Sequence, residues 1–494
     1  MILTLILGAA GVGAALRWLR VAQQEHYLAG STTRFAWRWW RSSKTNVGLG
    51  LLSALALLGV WWRPVIGWLG LAALAGPLGL AWRGRSSPLA LTGRLRRLAM
   101  TTFVLIVAVV LAALRYRRPG LAVPLPILAP LLIDLALGLL GPIEKRLGEK
   151  WVERAKVKLA ASGARVVAIT GSFGKTTTKA YVAHLLSVRY ATVQSPASFN
   201  NRMGLARAIN EQLNPGTEVF VAEMGTYAQG EIAELCRFVP PEVGVITGIG
   251  PVHLERFGSE GAIVAAKREI LVGTRLAVVN VDHPLLAGLA DDVVAERSVV
   301  RCSGLDPGAD VAVSGGKILV AGDVVGEVAG HVFASNLACA VAVALYFGIE
   351  REHIAARVNS LPAVAHRRQV SSAPGGFVII DDTYNSNPAG AAAALVVLSQ
   401  LGDGRKVLVT PGMVELGDRQ YEENRVFAAT AAGLVSDLVV VGLTNRPALL
   451  EGAAGGGAAV TVVRSRDEAV EWVRSHLGPG DAVLYENDLP DHYP

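Results

Sequence analysis

Five long apolar stretches without lysine or arginine occupy most of the first 142 residues and constrain the fold more than any other feature. They cover residues 2–16, 46–62, 64–82, 98–114 and 120–141. Because a helix rises about 1.5 Å per residue, stretches of about 17 to 22 residues can cross a hydrocarbon core of roughly 30 Å. The sequence therefore predicts an N-terminal α-helical membrane region over residues 1–142, with about five transmembrane helices. The first stretch is the shortest, and a cleaved signal peptide is the alternative for it.

Positive charge is concentrated in the same part of the chain. Up to Lys158 there are 21 Lys and Arg residues against five acids, a net charge of +16, whereas the remainder has 26 against 35, a net charge of −9. Lys and Arg are retained on the cytoplasmic side of a membrane. Five spans with the N terminus outside then predict a multi-pass protein of a bacterial-type cell membrane with its C-terminal part in the cytoplasm. A nucleic-acid partner is not indicated, since the basic loops flank apolar stretches.

Three features of this region carry specific expectations. Arg63 and Pro64 separate two apolar stretches and predict a tight hairpin, because proline disfavours helix at the residue before it. Asp134 lies inside the fifth stretch, where an ionisable residue is a candidate functional group; packing or helix pairing is the alternative. Residues 143–161 predict an amphipathic basic connector able to contact membrane lipids.

The cysteines favour a reducing compartment. There are three, Cys236, Cys302 and Cys339, and they are widely spaced. An odd number at these positions predicts buried reduced thiols rather than a disulfide framework or a cysteine metal site.

A phosphate-binding loop follows the connector. Residues 165–170 predict a short strand, and they lead through Gly171, Ser172 and Gly174 into Lys175 and a helix. In such a loop, backbone N–H groups and the helix N terminus hold phosphates, the lysine neutralises them, and the first hydroxyl reaches magnesium. The spacing Gly-x-x-Gly-Lys-Thr is shorter than the common loop, and a glycine turn that binds nothing is the alternative.

Two further predicted strands end in residues that suit a metal site. Residues 218–224 contain Glu223 near the end of the strand, and residues 242–247 lead into a loop with His253. Ligands bind open α/β sheets at the C-terminal ends of parallel strands, and magnesium prefers oxygen ligands. Glu223 is therefore a candidate magnesium ligand, and His253 is a candidate site residue.

A series of motifs resembles the Mur ligase family, and within it most closely the branch that adds D-alanyl-D-alanine. The motifs extend from about residue 162 to the end of the chain: residues 167–179 (VAITGSFGKTTTK), Asn200-Asn201, residues 222–225 (AEMG), residues 249–254 (IGPVHL), residues 266–270 (AKREI), residues 280–282 (NVD), His331 with Asn336, His366-Arg367, and residues 380–388 (IDDTYNSNP).

The resemblance implies an enzyme that joins a carboxylate to an amine at the expense of ATP, with ADP as product. In that family the carboxylate attacks the γ-phosphate to give an acyl phosphate, and an amine then displaces phosphate. The substrates implied are a small-molecule or lipid-linked carboxylate, taken from peptidoglycan or another cell-envelope precursor, and an amino acid or dipeptide. ATP and Mg²⁺ are the implied cofactors, with carbamylation of Lys267.

The resemblance also assigns roles residue by residue. Lys175, His253 and Lys267 match catalytic positions of the family. The positions that match ATP-binding residues are Gly171, Ser172, Gly174, Lys175, Thr176, Thr177, Asn336, Arg367 and Asp382. The positions that match metal-binding residues are Thr176, Glu223, His253 and Lys267.

The fold expected after the membrane region is α/β, in two domains. Residues 162–360 correspond to the Mur ligase central P-loop ATPase domain. From residue 361 to residue 494 short apolar strands alternate with helical patterns again, which predicts a C-terminal Rossmann-like domain. Those strands are expected at 377–380, 406–409, 437–441, 460–463 and 482–485.

Two departures from the family pattern leave the substrate open. The membrane region stands where the muramyl-peptide ligases carry a domain that grips UDP, and the acidic residues 485–490 (YENDLP) replace a basic stretch near the incoming dipeptide. A poly-γ-glutamate-synthase-like polymer ligase is one alternative. A non-catalytic membrane scaffold on a ligase fold is another, although Lys175, Glu223 and Asp382 are all retained.

Overall fold

The computed structural model describes residues 1–81, 89–328, 332–362, 367, 369–384, 386–401, 404–490 and 492–494. The chain forms two compact units. The first contains Met1–Leu147 with Val441–Arg446 and Asp488–Pro494, and the second contains Gly148–Val440 with Pro447–Asn487.

The first unit is helical. Its helices are α1 (Ile2–Gln24), α2 (Ser31–Arg41), α3 (Lys44–Gly59), α4 (Ala72–Ala75), α5 (Gly93–Arg115) and α6 (Ala129–Ser162), with 3-10 helices at Pro64–Leu71 and Pro119–Leu121. The residues of α6 from Gly148 onward belong to the second unit.

Two helices of the described residues, α1 and α5, are long and apolar enough to cross a membrane by length and composition. The prediction of about five spans is therefore not supported. The second stretch forms a helix of only 16 residues. The third is divided between a 3-10 helix and α4, and runs on into Trp82 outside the described residues. In the fifth, prolines at 124 and 126 remove backbone donors, and α6 begins only at Ala129.

Asp134 receives the N terminus of α2. Its carboxylate accepts hydrogen bonds from the backbone N–H of Thr32 (3.3 Å) and Thr33 (2.8 Å) and from the Thr33 hydroxyl (2.6 Å). A carboxylate at a helix N terminus pairs unsatisfied N–H groups and is favoured by the helix dipole. This geometry agrees with the packing alternative for Asp134.

The last residues of the chain pack within this unit. The Trp39 indole N–H donates to the His492 carbonyl (2.8 Å), and His492 Nε2 lies 3.0 Å from Glu25 Oε1. The Phe35 ring meets the rings of His492 and Tyr493 edge to face, with centroids 4.6 and 4.9 Å away. The C terminus is thus part of the core of the helical unit.

The second unit contains two sheets. The first sheet has seven parallel strands, in the order β2 (Thr192–Gln194), β3 (Val219–Glu223), β1 (Arg165–Thr170), β4 (Val243–Ile246), β5 (Leu276–Asn280), β6 (Ser298–Ser303) and β7 (Val311–Ser314). Two antiparallel strands follow at its edge, β8 (Lys317–Val320) and β9 (Asp323–Glu327).

Eight helices accompany this sheet after α6 in the described residues. They are α7 (Lys175–Leu186), α8 (Arg202–Gln212), α9 (Glu231–Phe238), α10 (Leu254–Phe257), α11 (Glu260–Arg268), α12 (Pro284–Val293), α13 (Ala334–Tyr346) and α14 (Arg351–Arg357), with short 3-10 turns at Glu269–Leu271 and Val358–Ser360. Strands buried on both faces read as continuous apolar runs, which is the pattern of β1, β3 and β4.

The second sheet has the order β10 (Gln369–Ser372), β11 (Val378–Asp382), β15 (Ala482–Glu486), β12 (Lys406–Thr410), β13 (Asp437–Val441) and β14 (Ala459–Val463). β11, β15, β12 and β13 are parallel, and β10 is antiparallel to β11. Its helices are α15 (Pro388–Gln400), α16 (Gln420–Ala432), α17 (Arg446–Ala453) and α18 (Arg466–His476), with a 3-10 turn at Gly417–Arg419.

The connector predicted at 143–161 is the C-terminal half of α6, and only part of its apolar surface is buried, since Ile143, Leu147 and Trp151 are 50–53% exposed. Val152, Ala155 and Leu159 pack in the core below the central sheet. Two of its basic residues contact the same domain or helix, since Lys158 donates to the Asn210 carbonyl (2.7 Å) and Lys156 pairs with Glu153. The buried residues of this segment therefore pack against the central sheet, and contact of the remaining residues with lipid stays a prediction.

Candidate active site

The phosphate-binding loop joins the end of β1 to the start of α7. Gly174 has φ +82°, and a Cβ at this position would collide with the amide of Asn336 on α13. Gly171 has no room for a side chain either, because its Cβ would collide with the Thr247 hydroxyl after β4. Glycine is therefore required at both positions by close approach of neighbouring chain segments.

Lys175 is the first residue of α7 and folds back over the loop. Its ammonium group donates to the carbonyls of Gly171 (2.7 Å) and Ser172 (3.2 Å). Burial lowers the pKa of Lys175 to about 8, with Arg367 acting in the same direction and Glu223 opposing it. Burial destabilises the charged form of this ammonium group, and an anion bound in the loop would stabilise that form.

Glu223 is the last residue of β3, and three polar side chains contact its carboxylate. The Thr176 hydroxyl donates to its carboxylate (3.0 Å), the Lys179 ammonium lies 3.0 Å from the same oxygen, and the Asn200 amide reaches the other oxygen (3.2 Å). The side chains of Lys179 and Glu223 are each only 3% exposed.

The ionised form of this carboxylate is stabilised. Burial by itself raises the pKa of Glu223, but the charges of Lys179 and Lys175 and the hydrogen bonds from Lys179 and Thr176 outweigh it, so the pKa is lowered. A carboxylate and a hydroxyl at the end of a phosphate loop are donors that magnesium accepts. In the described part of the chain no three His, Cys, Asp or Glu side chains cluster as a metal site. The pair therefore fits a magnesium ion whose other ligands are phosphate and water oxygens.

Lys267 lies near the end of α11 and is 3% exposed. Burial lowers its pKa well below the usual value, and the charge of Lys175 lowers it further. Relative to an exposed lysine, this shift favours the neutral amine. That is the reactive form for addition of carbon dioxide.

His253 is held by a residue of the second sheet's domain. It has φ +64° and is the N-cap residue immediately before the short helix α10. Its Nδ1 bonds the carboxylate of Glu415, which also lies 3.4 Å from Arg256. The Tyr227 ring meets the His253 ring edge to face and supports the Arg256 guanidinium at 4.4 Å. Glu415 thus fixes the orientation of His253, and a metal ion at this residue would take Nε2.

A cavity of about 300 Å³ lies beside the loop. Side chains of both domains line it, among them Thr176, Thr177, Asn336, Arg367 and Asp382. Burial lowers the pKa of Arg367, whereas the charge of Asp382 opposes this. Its guanidinium stacks on Tyr384 at 4.5 Å. The cavity has the polar and apolar lining that a nucleotide requires.

Comparison with known proteins explains this arrangement. Residues 169–344 match the Mur ligase middle domain, and residues 366–485 match the Mur ligase glutamate ligase domain. The UDP-N-acetylmuramoyl-tripeptide–D-alanyl-D-alanine ligase of Mycobacterium tuberculosis is 33% identical over 76% of this chain and 81% of its own length. This chain belongs to the Mur ligase family.

Solved structures agree with the family. MurF from Acinetobacter baumannii is 26% identical, covers 69% of this chain and 77% of its own, and superposes with a TM-score of 0.59. MurF from Thermotoga maritima, solved with ADP, is 25% identical over 69% of this Mur ligase and 80% of its own chain, with a TM-score of 0.58. The predicted fold class is confirmed, and so is the prediction of an ATP-dependent ligase.

The structure brings most of the predicted site residues of this Mur ligase together. Gly171, Ser172, Lys175, Thr176 and Glu223 surround one loop. Asn336, Arg367 and Asp382 share the cavity with Gly174 and Thr177. The individual roles of these residues in catalysis and binding stay predictions. His331 and His366, which belong to the family motifs, lie outside the described residues, as does Asn385.

Sequence reasoning missed two residues that the structure places at the site. Lys179 lies one helical turn after Lys175, so its spacing alone could have suggested a second ammonium group on the same face. Glu415 lies between β12 and the 3-10 turn at Gly417–Arg419. Its contact with His253 crosses from one domain to the other and could not be read from local spacing.

Proposed function

We propose that this Mur ligase is a membrane-anchored enzyme that uses ATP to join the carboxylate of a cell-envelope precursor to an amine through an acyl phosphate. The observation that carries the proposal is that the Thr176 hydroxyl and the Lys179 ammonium group both contact the Glu223 carboxylate beside the phosphate loop. It provides a carboxylate and a hydroxyl for magnesium beside cations for phosphate.

The reaction has two steps. A carboxylate oxygen of the first substrate attacks the γ-phosphorus, the bond to ADP breaks, and an acyl phosphate forms. The amine nitrogen then attacks the acyl carbon, the carbon–oxygen bond to phosphate breaks, and the nitrogen loses a proton as the amide forms. The first step brings two anions together and the second releases anionic phosphate, so the protein must supply fixed positive charge at the loop.

The residues divide this work by position. Lys175 balances charge on the transferred phosphoryl group, and the loop N–H groups hold the phosphates. Thr176 and Glu223 hold a magnesium ion, which neutralises phosphate charge when bound. Asn336, Arg367 and Asp382 hold the nucleoside part in the cavity. His253 and a carbamylated Lys267, which would be an anionic ligand, complete a second metal position.

The names of the related enzymes suggest the first substrates to test. They indicate D-alanyl-D-alanine as the amine and a UDP-linked muramyl tripeptide as the carboxylate. If the enzyme is anchored in a membrane, we expect its carboxylate substrate to be linked to a lipid. A polymer ligase of the poly-γ-glutamate type remains the alternative.

Exposed apolar side chains support the membrane anchor. In α3 and the turn after it, Leu51, Leu55, Leu58 and Trp62 are 61%, 55%, 75% and 91% exposed. Leu131, Leu135 and Leu139 form an exposed row on α6 at 50–55%. Contiguous apolar surface of this kind is rare on soluble monomers and is typical of lipid contact. We propose α1 and α5 as the helices that cross the membrane.

The experiment uses the full chain purified in detergent. Phosphate release from ATP should require both a carboxylate substrate and an amine, and the amide product should be identified by mass spectrometry. Parallel reactions contain D-alanyl-D-alanine with UDP-linked or lipid-linked muramyl tripeptide. Phosphate release with neither substrate, or no amide with any pair including glutamate and its polymers, would contradict the ligase proposal. A chain that leaves membranes in alkaline carbonate would contradict the anchor alone.

A further inference from the structure

A buried carboxylate outside the family motifs joins two parts of the proposed ATP site. Glu486 is the last residue of β15 and is only 1% exposed. One of its oxygens accepts a hydrogen bond from the Ser386 hydroxyl, and the other accepts one from the Thr410 hydroxyl at 2.6 Å. Both oxygens therefore have a protein partner in the interior of the domain.

The Ser386 side of this contact faces the cavity. Ser386 lines the cavity together with Asn387, whose side chain caps α15 by accepting from the Gly390 N–H (3.0 Å). Asp382, in register with Glu486 on the neighbouring strand, lines the same cavity. A change at Glu486 is thus transmitted to the cavity wall through a single hydroxyl.

The Thr410 side leads to His253. The Thr410 hydroxyl accepts from the Gly412 N–H (2.9 Å), and the Asn487 amide donates to the Gly412 carbonyl (2.7 Å). Three residues after Gly412 comes Glu415, whose carboxylate bonds His253. Glu486 therefore anchors the start of the segment 410–415 that reaches the central domain.

The environment of Glu486 makes its charge sensitive to pH near neutrality. Burial raises its pKa to about 7, and the charge of Asp382 acts in the same direction, while the Ser386 and Thr410 hydroxyls oppose them. The groups that face it are thus Asp382 from β11, Ser386 from the turn before α15 and Thr410 from β12. Ionisation adds a negative charge behind a cavity that already contains Asp382.

We propose that Glu486 is a positioning residue for the nucleotide, holding Ser386 in the cavity wall and the segment 410–415 against His253. The inference rests on the proposed ATP site. It differs from the family-derived roles in assigning a function to a residue of the acidic segment 485–490.

Nucleotide binding to the full chain, measured by calorimetry with a non-hydrolysable ATP analogue and magnesium at pH 6 and pH 8, tests it. In the wild type, affinity should fall by about five-fold or more between these values, because ionised Glu486 repels the nucleotide. Glu486→Gln cannot ionise and should lose that part of the change. It is also the matched control for titration of the nucleotide's own phosphate.

Three further variants separate positioning from folding. Glu486→Ala should raise KM for ATP about ten-fold, and Glu486→Gln should recover most of it. Ser386→Ala should raise KM with kcat nearly unchanged, whereas Thr410→Val should lower kcat, because it loosens the segment that leads to His253. Unchanged thermal unfolding of these two variants keeps the test valid if Glu486→Ala fails to fold.

Two outcomes would overturn the inference. One is an identical pH dependence of nucleotide affinity in the wild type and Glu486→Gln; the other is the same KM and kcat in all four variants and the wild type. Either would leave the proposed function intact provided that Lys175→Ala still lowers kcat/KM for ATP by about 10²-fold or more. Wild-type protein that binds no nucleotide would refute the proposed function as well.

Discussion

The two units of this chain treat buried charge in different ways. In the helical unit, buried acids meet groups that balance them, as Asp134 meets the N terminus of α2 and Glu25 meets His492. In the catalytic unit, the described cations that act on Glu223 outnumber it, since Lys179 contacts it and Lys175 and Arg367 lie within charge interaction. Balanced charge holds a fold together, whereas a buried surplus of one sign indicates a ligand of the other sign.

The largest loss of activity is expected for Lys175, the buried cation that we propose to contact the phosphates of ATP. Lys175→Ala should lower kcat/KM for ATP by about 10²–10³-fold, because one preorganised charge at the transferred group is lost. Phosphate release measures it. Lys317→Ala, an exposed lysine of the same domain, is the control and should leave the rate unchanged. A rate within a few-fold of wild type for Lys175→Ala would break the contrast between the two units.

Lys267 gives the next largest effect and a test of its modification. Lys267→Arg should lower kcat by about 10²-fold, because a metal ligand or its support is lost. Wild-type protein equilibrated with ¹³C-bicarbonate should show a carbamate carbon by NMR, and the variant should lack it. If wild type and variant give the same spectrum with the activity loss retained, Lys267 acts as an amine, and carbamylation is wrong.

The lowered pKa of Lys175 predicts a dependence on pH. Its folded-state value of about 8 lies below the usual value, so the ammonium form present at pH 7 is lost as pH rises through 8. Since kcat/KM reports groups of the free enzyme, it should fall by up to about ten-fold per unit above pH 8. A profile that stays flat to pH 10, with the fold intact by circular dichroism, would show that Lys175 keeps its proton.

The parts of this fold that depend on local pattern could be predicted. The strand at 165–170 was expected from its β-branched run, and β1 has those bounds. The strand expected at 377–380 is β11, and its true extent, Val378–Asp382, adds the two acids of the motif. Buried parallel strands appear in a sequence as continuous apolar runs, and ligand-binding residues follow their C-terminal ends. The predicted strand positions therefore agree with the structure here.

Features that depend on distant contacts could not be predicted. Hydropathy counts apolar residues but does not register the prolines that interrupt a helix, so five apolar stretches yield only two long apolar helices among the described residues. The contact of His253 with Glu415 and that of Trp39 with His492 join residues 162 and 453 positions apart. No periodicity in the chain encodes such pairs.

The smallest effect is expected for Asp134 in the helical unit. It tests whether this buried, hydrogen-bonded carboxylate contributes to stability alone and not to activity. Asp134→Ala removes three hydrogen bonds at the start of α2 and leaves the Thr32 and Thr33 N–H groups without that acceptor. The expected cost is about 1–2 kcal/mol of unfolding free energy, the usual value of a helix cap. A lower unfolding temperature in detergent with unchanged kcat and KM for ATP would support this role. Asp134→Asn should recover part of the stability, because its amide oxygen still accepts from a helix N–H. Loss of turnover in both variants at unchanged stability would instead make Asp134 functional, and the contrast between the two units would fail at its simplest point.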